Sequence, residues 1–253
     1  PATAEECDLN ISLAGVQSIA GSTASWSVIA GNAADITFSN PNIFNPTATS
    51  TTYGTYTFRL TETNGVCTST DDIVVTYTEQ PVANAGTGGN ECDLNFTFNS
   101  TLSTASGTGI WTKVSGPAGE GYDDATLEAA TVTVTTYGTY VFRWTETNGG
   151  CSDFADVTVN FYDQPVADAG PATAEECDLN INLSGIQSKP GTTASWSVIA
   201  GNAADITFSN PNIFNPTATS TTYGTYTFRL TETNGVCTST DDIVVTYTEQ
   251  PVA

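Results

Sequence analysis

Along the first third of the chain, apolar side chains fall on alternate positions. Ile11 and Leu13 share one parity, as do Trp26 and Val28, Ile36 and Phe38, the trio Tyr56, Phe58 and Leu60, and finally Ile73, Val75 and Tyr77. Successive side chains of a β-strand point to opposite faces, so these runs predict half-buried strands. Hardly any segment carries the 3.6-residue period of a helix. Turn residues punctuate the runs at Ala14-Gly15, Ala20-Gly21, Ala30-Gly31-Asn32, Asn40-Pro41-Asn42, Asn45-Pro46 and Asn64-Gly65. The last is the strongest hairpin signal among them. About seven short strands in such a span predict two packed sheets with Greek-key connections.

The same pattern then returns. Glu6-Cys7-Asp8-Leu9-Asn10 recurs at Glu91 and at Glu176, each 85 residues on, and Pro81-Val82-Ala83 recurs at Pro165 and Pro251. The chain therefore divides into repeats at 1–83, 84–167 and 168–253. Repeats 1 and 3 differ only at Ser12/Asn182, Ala14/Ser184, Val16/Ile186, Ile19/Lys189, Ala20/Pro190 and Ser22/Thr192. Near-identity across a divergent middle unit is the mark of duplication in a long repetitive gene. The sequence has no Met and begins and ends at a repeat boundary. The expectation is a window in a longer array, with any leader, anchor or terminal domain outside it.

Within a repeat, Tyr53-Gly54-Thr55-Tyr56 sits where an immunoglobulin-type sandwich places its tyrosine corner, and Trp26, Trp111 and Trp196 match the buried tryptophan of its third strand. The inward position two residues beyond the corner is Phe58 rather than Cys, so apolar packing replaces the usual inter-sheet disulfide. Two Cys per repeat, with no CxxC spacing and no His, point to disulfides rather than zinc, and hence to an oxidising compartment. Cys7 precedes the second strand and Cys67 follows the Asn64-Gly65 turn. Were the entering strand parallel to the last one, an early Cys would lie near that turn. This geometry favours Cys7–Cys67, Cys92–Cys151 and Cys177–Cys237; a link between neighbours, such as Cys67 to Cys92, is the rival. Short proline linkers without a Gly/Ser spacer predict a semi-rigid rod, about 120 Å long for three units.

Charge narrows the partners. Five basic and 27 acidic residues give a net charge of −22. That excludes nucleic acid, which binds through Lys and Arg, and disfavours anionic membranes; no segment is apolar enough for membrane insertion. Asp71 and Asp72 recur as Asp241 and Asp242, and Asp168 lies in a linker. Oxygen-only clusters suit Ca²⁺, the one cofactor worth weighing, although no Asp-x-Asp-x-Asp-Gly loop is present and a solvated acidic pole is the plainer reading. Arg59, Arg143 and Arg229 alternate with inward aromatics and so face outward, towards cross-strand carboxylates. With no His and no Lys shared among repeats, nothing activates a nucleophile, and no enzymatic role is expected.

Several features are shared with one group of proteins. They are the Pro-Val-Ala-Asn/Asp-Ala-Gly linkers (Pro81 to Gly86, Pro165 to Gly170), Trp-Ser-Val-Ile at Trp26 and Trp196, the run from Tyr140 to Gly149 with Cys151 beyond, and Thr70-Asp71-Asp72. In these the chain resembles the Ig-like and PKD-like repeats of giant Bacteroidota surface adhesins, including gliding adhesins of the SprB type. The resemblance implies type IX secretion, display on the outer surface of a bacterium, and a part in adhesion or gliding motility. It supplies no catalytic residues. Three roles are then open to the repeats: a stalk that holds an adhesive region away from the cell, direct binding of surface polysaccharide, and self-association into a filament or layer. For direct binding the divergent loop Gly116 to Tyr122 of repeat 2 is the candidate, and for self-association Ile43-Phe44 and Ile213-Phe214.

Overall fold

The structure is a computed structural model that describes residues 2–252; Pro1 and Ala253, the outer limits of the first and third repeats, lie outside the described residues. Repeat 1 is built from β1 (Ala2–Glu6), β2 (Asn10–Ser12), β3 (Thr23–Ala30), β4 (Ile36–Phe38), β5 (Thr47–Ser50), β6 (Gly54–Asn64) and β7 (Cys67–Tyr77). One sheet has the order β1-β7-β6-β3 and the other β2-β5-β4. Seven strands divided four and three, with the first running parallel to the last, form an immunoglobulin-like sandwich.

The plan recurs twice. Repeat 2 contains β8 (Gly89–Glu91), β9 (Asn95–Thr97), β10 (Thr108–Ser115), β11 (Glu120–Tyr122), β12 (Thr131–Val134), β13 (Gly138–Asn148) and β14 (Cys151–Phe161). Repeat 3 contains β15 (Thr173–Glu176), β16 (Asn180–Asn182), β17 (Thr193–Ala200), β18 (Ile206–Phe208), β19 (Thr217–Ser220), β20 (Gly224–Asn234) and β21 (Cys237–Tyr247). The whole chain is thus a tandem of three all-β sandwiches.

Alternation along the strands builds each core. In repeat 1, Tyr56, Phe58 and Leu60 of β6 meet Ile11, Leu13, Trp26, Val75 and Tyr77. Each large side chain so buried contributes roughly 1.5–3 kcal/mol through lost water contact. The corner tyrosines hold as expected: the Tyr140 hydroxyl donates to the Thr136 carbonyl at 2.7 Å. Repeat 2 fills the same space differently. Trp144 stands where its neighbours have Leu60 and Leu230, and Gly109, which pairs with Glu146 two residues along from it, replaces Ala24 and Ala194. A Cβ at Gly109 would come within 1.8 Å of the Trp144 ring, so the larger indole demands the missing methyl.

The parallel register of β1 on β7 decides where the cysteines lie. Ala2 sits beside Ile73 and Glu6 beside Tyr77. Cys7 is therefore at the far end of β7, ten residues and about 33 Å from Cys67, which opens that strand beside the β6–β7 turn. The expected pairs Cys7–Cys67, Cys92–Cys151 and Cys177–Cys237 are corrected accordingly. The two cysteines of a repeat occupy opposite poles, and the rival link from Cys67 to Cys92 also fails, because Cys92 lies at the pole of its own repeat that faces away from repeat 1.

Candidate functional site at the repeat junctions

What the poles can reach is each other. Cys7 is bonded to Cys151 and Cys92 to Cys237, so each repeat is tied from the end of its first strand to the hairpin turn of the next. Cys67 and Cys177 remain free and exposed.

Hydrogen bonds repeat the same design at both junctions. Asn148, at the tip of β13, donates to the Glu79 carbonyl at 2.9 Å; its counterpart Asn234 donates to that of Asp163 at 2.7 Å. From the preceding side, Gln80 donates to the Ser152 carbonyl at 2.8 Å and Gln164 to that of Thr238 at 2.7 Å. The linker backbone is held as well: Val82 N–H donates to Ser103 Oγ and Val166 N–H to Ser188 Oγ. One residue on, Ala83 N–H donates to Asp153 and Ala167 N–H to Ser239. The linkers then bury a methyl in the following core, with Ala85 only 3% exposed and Ala169 fully covered. Pro81 and Pro165 are buried too. These segments, read in the sequence as short proline linkers, are joined to the next sandwich by isolated bridges at Asn84–Thr101 and Asp168–Ile186.

The turn glycines are needed for this contact. Gly149 and Gly235 have φ of 57° and 60°, a region that favours glycine. A Cβ on Gly235 would also approach the Tyr162 ring to 2.3 Å, and one on Gly149 the Glu5 carboxylate to 2.4 Å. Glu5 accepts from Gly150 N–H and from the Thr78 hydroxyl, each at 2.8 Å, and these bonds hold its pKa below the usual carboxylate range.

A further carboxylate organises each receiving pole. Glu146, at the inward parity after Trp144, accepts from the backbone and hydroxyls of Ser103 and Thr104. Burial opposes its charge, yet those hydrogen bonds outweigh burial and lower its pKa. Its equivalent Glu62 is pulled to about 2, chiefly by the Ser18 and Ser22 hydroxyls. The signal was available in the sequence: Glu62 continues the inward series Tyr56, Phe58, Leu60, where a carboxylate needs partners. Lys189 adds an ion pair to Asp163 of the preceding repeat at 2.8 Å, which raises the lysine pKa.

The acidic positions considered for calcium have other partners. Asp72 and Asp242 are bidentate to Arg59 and Arg229, which lowers both carboxyl pKa values. Asp241 accepts from Ala169 N–H, Asp168 from Gly170 N–H, and Asp71 from Asp72 N–H. Among the described residues no group of three or more His, Cys, Asp or Glu side chains converges as a metal site would. The repeat 2 loop from Gly116 to Tyr122 is partly strand, and Lys113 bonds to Glu120 and to the Pro117 carbonyl within it. Phe44 and Phe214 pack against their cores, leaving Ile43 and Ile213 about two-fifths exposed. No helix among the described residues is long and apolar enough to cross a membrane.

No family model and no curated protein matches this sequence. Among solved structures, the chain is similar to the I-band fragment I67-I69 of titin, at 11% identity over 99% of this chain and 95% of that one, with a TM-score of 0.49. Extracellular domains 3-5 of Drosophila OTK match at 10% identity over 97% and 93%, with a TM-score of 0.47. Immunoglobulin domains 1-4 of Sidekick-1 match at 12% identity over 98% and 73%, with a TM-score of 0.45. The strand order and parallel first strand described above, rather than these distant likenesses, identify the chain as a tandem array of immunoglobulin-like domains.

Proposed function

We propose that the chain is a stalk segment of a secreted bacterial surface adhesin, which extends an adhesive region away from the cell. The observation that carries this reading is the double closure of every junction, by a disulfide and by the same set of backbone and side-chain hydrogen bonds. A flexible tether needs neither. The disulfides fit an extracellular compartment, and the strong negative charge keeps densely displayed copies apart. The sequence resemblance to Bacteroidota surface adhesins supports type IX export, outer-surface display and a part in adhesion or gliding. No catalytic role is proposed, and stiffness is assigned to the junctions rather than to Ca²⁺.

Solution scattering of the three-repeat chain tests the stalk. The expected result is one extended length, about 120 Å, unchanged by Ca²⁺ or chelator and broadened only on reduction. A distribution of bent forms in the oxidised protein would count against it, and collapse on chelation would make Asp71, Asp72, Asp168, Asp241 and Asp242 ligand candidates again.

A further inference from the structure

The two junctions share their hydrogen bonds to the linker but differ at the turn. At the first, Glu5 accepts from Gly150 N–H and from the Thr78 hydroxyl, and Thr78 lies against Gly149. At the second, the places of Glu5, Thr78 and Gly150 are taken by Asn90, Tyr162 and Val236. The Tyr162 ring covers Gly235, and Val236 stands exposed. Asn90 turns back to its own repeat, where its side-chain oxygen accepts from Asn160 Nδ2 at 3.0 Å. We propose that these are two alternative matches that decide which repeat can seat on which: a carboxylate over a Gly-Gly turn, or a tyrosine beside a Gly-Val turn.

Gly150 shows how strict the match is. Unlike Gly149, it does not have a positive φ, so its own backbone does not call for glycine. The three atoms nearest to a Cβ added there all belong to Glu5: one carboxylate oxygen at 2.7 Å, Cδ at 3.2 Å and the other oxygen at 3.6 Å. The glycine is thus required by the preceding repeat and not by the hairpin that contains it. A valine in its place would push the carboxylate aside, breaking both of its hydrogen bonds and setting a charge against methyl groups. Repeat 3 has valine at this position because Asn90, held by Asn160, leaves it room. The first match is equally closed to the second junction. Tyr162 lacks the short hydroxyl that holds Glu5, and the Val236 Cβ stands where Gly150 leaves space for the carboxylate.

A second observation places selectivity on the same surface. The six positions at which repeats 1 and 3 differ run in repeat 3 from Asn182 to Thr192, the end of β16 and the loop before β17. Three of them meet the linker from repeat 2: Ile186 N–H donates to the Asp168 carbonyl, Lys189 pairs with Asp163, and Ser184 lies against Gly170. Otherwise identical sandwiches thus diverge on the face that, in repeat 3, receives its neighbour. The match also sits next to the sulfurs. Gly150 and Val236 directly precede Cys151 and Cys237, and Glu5 and Asn90 lie two residues before Cys7 and Cys92. A mismatched turn therefore displaces the strand ends that the bridge has to join.

The test exchanges the matches in the full chain. Equilibration with oxidised and reduced glutathione, followed by alkylation and mass spectrometry, gives the fraction of each bridge formed. Gly150→Val should lower the equilibrium constant of Cys7–Cys151 about tenfold, as for loss of one charge-assisted hydrogen bond, and leave Cys92–Cys237 unchanged. Adding Glu5→Asn and Thr78→Tyr, the set of the second junction, should bring it back to within about twofold of the native value. In the other direction, Asn90→Glu with Tyr162→Thr should weaken Cys92–Cys237, and Val236→Gly should restore it. Valine is native at this turn in repeat 3 and glycine in repeat 2, so each variant uses a residue the fold already accepts. Unchanged bridges after either mismatch would overturn the proposal, as would failure of either rescue. So would equal weakening of both bridges by Gly150→Val, the mark of a general disturbance. None of these outcomes depends on the adhesin reading.

Discussion

Repeats 1 and 3 are the same sandwich twice, yet their receiving poles live in different surroundings. Leu230 is fully buried where Leu60 is 8% exposed, Glu232 is fully buried where Glu62 is half-buried, and Cys237 is buried where Cys67 is open. Ile243 is likewise buried where Ile73 is only partly so. None of these positions is among the six that differ in sequence. The preceding repeat makes the difference, by laying Ala169 into the core and its linker over the groove. In repeat 1 that place is an open cleft of about 310 Å³ lined by Leu13, Trp26, Leu60, Asp71 and Ile73. The Ser hydroxyl registers the change: Ser18 Oγ donates to Glu62 at 2.6 Å, whereas Ser188 Oγ accepts from the linker at Val166. Part of each sandwich's stability is therefore supplied by its neighbour.

The sharpest way to break this contrast is Cys92→Ser, which releases repeat 3 from its bridge. The bridge closes a loop of 145 residues, and the chain-entropy argument puts its ceiling at about 5 kcal/mol. Hydrogen exchange resolved by repeat should show β20 and β21 falling towards the protection of β6 and β7, with repeat 1 unaffected. Next comes Ala169→Leu, which overfills the covered pole and should cost about 1–3 kcal/mol in denaturant titration. The substitution lies in the core of repeat 3, so exchange in repeat 1 should not change.

A smaller effect is expected from Glu232→Gln. It converts charge-assisted hydrogen bonds to neutral ones in a fully buried place, a loss of about 1 kcal/mol. Glu62→Gln, in the open pole, should change the unfolding midpoint less. Smallest is the pH dependence of that same open carboxylate. The folded pKa of Glu62, about 2, lies below the ordinary 4.5, so its contribution is complete above 4.5 and fades as pH falls towards 2. Midpoints of the native chain and of Glu62→Gln, measured at pH 6, 4 and 2.5, should converge on the acid side.

The sequence made the aromatic strands plain because their large residues alternate. β1 and β5 lack that signal: Ala-Thr-Ala-Glu-Glu and Thr-Ala-Thr-Ser carry small and polar side chains, although Ala48 is fully buried. The cysteine pairing was misjudged for a different reason. It depends on where β1 sits along β7, an offset that parallel pairing sets through contacts distant in sequence and that no local pattern reveals. Ala85 and Ala169 read as plain linker residues, since a buried methyl and an exposed one are spelled alike. Glu62 was missed, although its parity, continuing the inward series Tyr56, Phe58, Leu60, could have pointed to it. An outward Arg59 facing a cross-strand carboxylate was legible, but that the carboxylate is Asp72, weighed for calcium, depends on the strand register.

Tension applied to the array would travel along two routes. From Ala2 the backbone passes along β1 to Cys7, crosses the bridge to Cys151, follows β14, and continues through the linker into β15, ending at Cys177. A second line starts at Cys67, follows β7 and β8 to Cys92, crosses to Cys237 and leaves along β21. Each line contains only first and last strands, already near full extension, and in every repeat the two lie side by side in parallel register. The remaining strands hang from these lines as closed loops. A pull along one cord is borne by backbone and bridges. A load entering at Ala2 and leaving along β21 must cross between the cords, so in the oxidised array it falls in shear on the parallel pairing of first and last strands. Reduction turns the array into a chain of domains that unravel one after another.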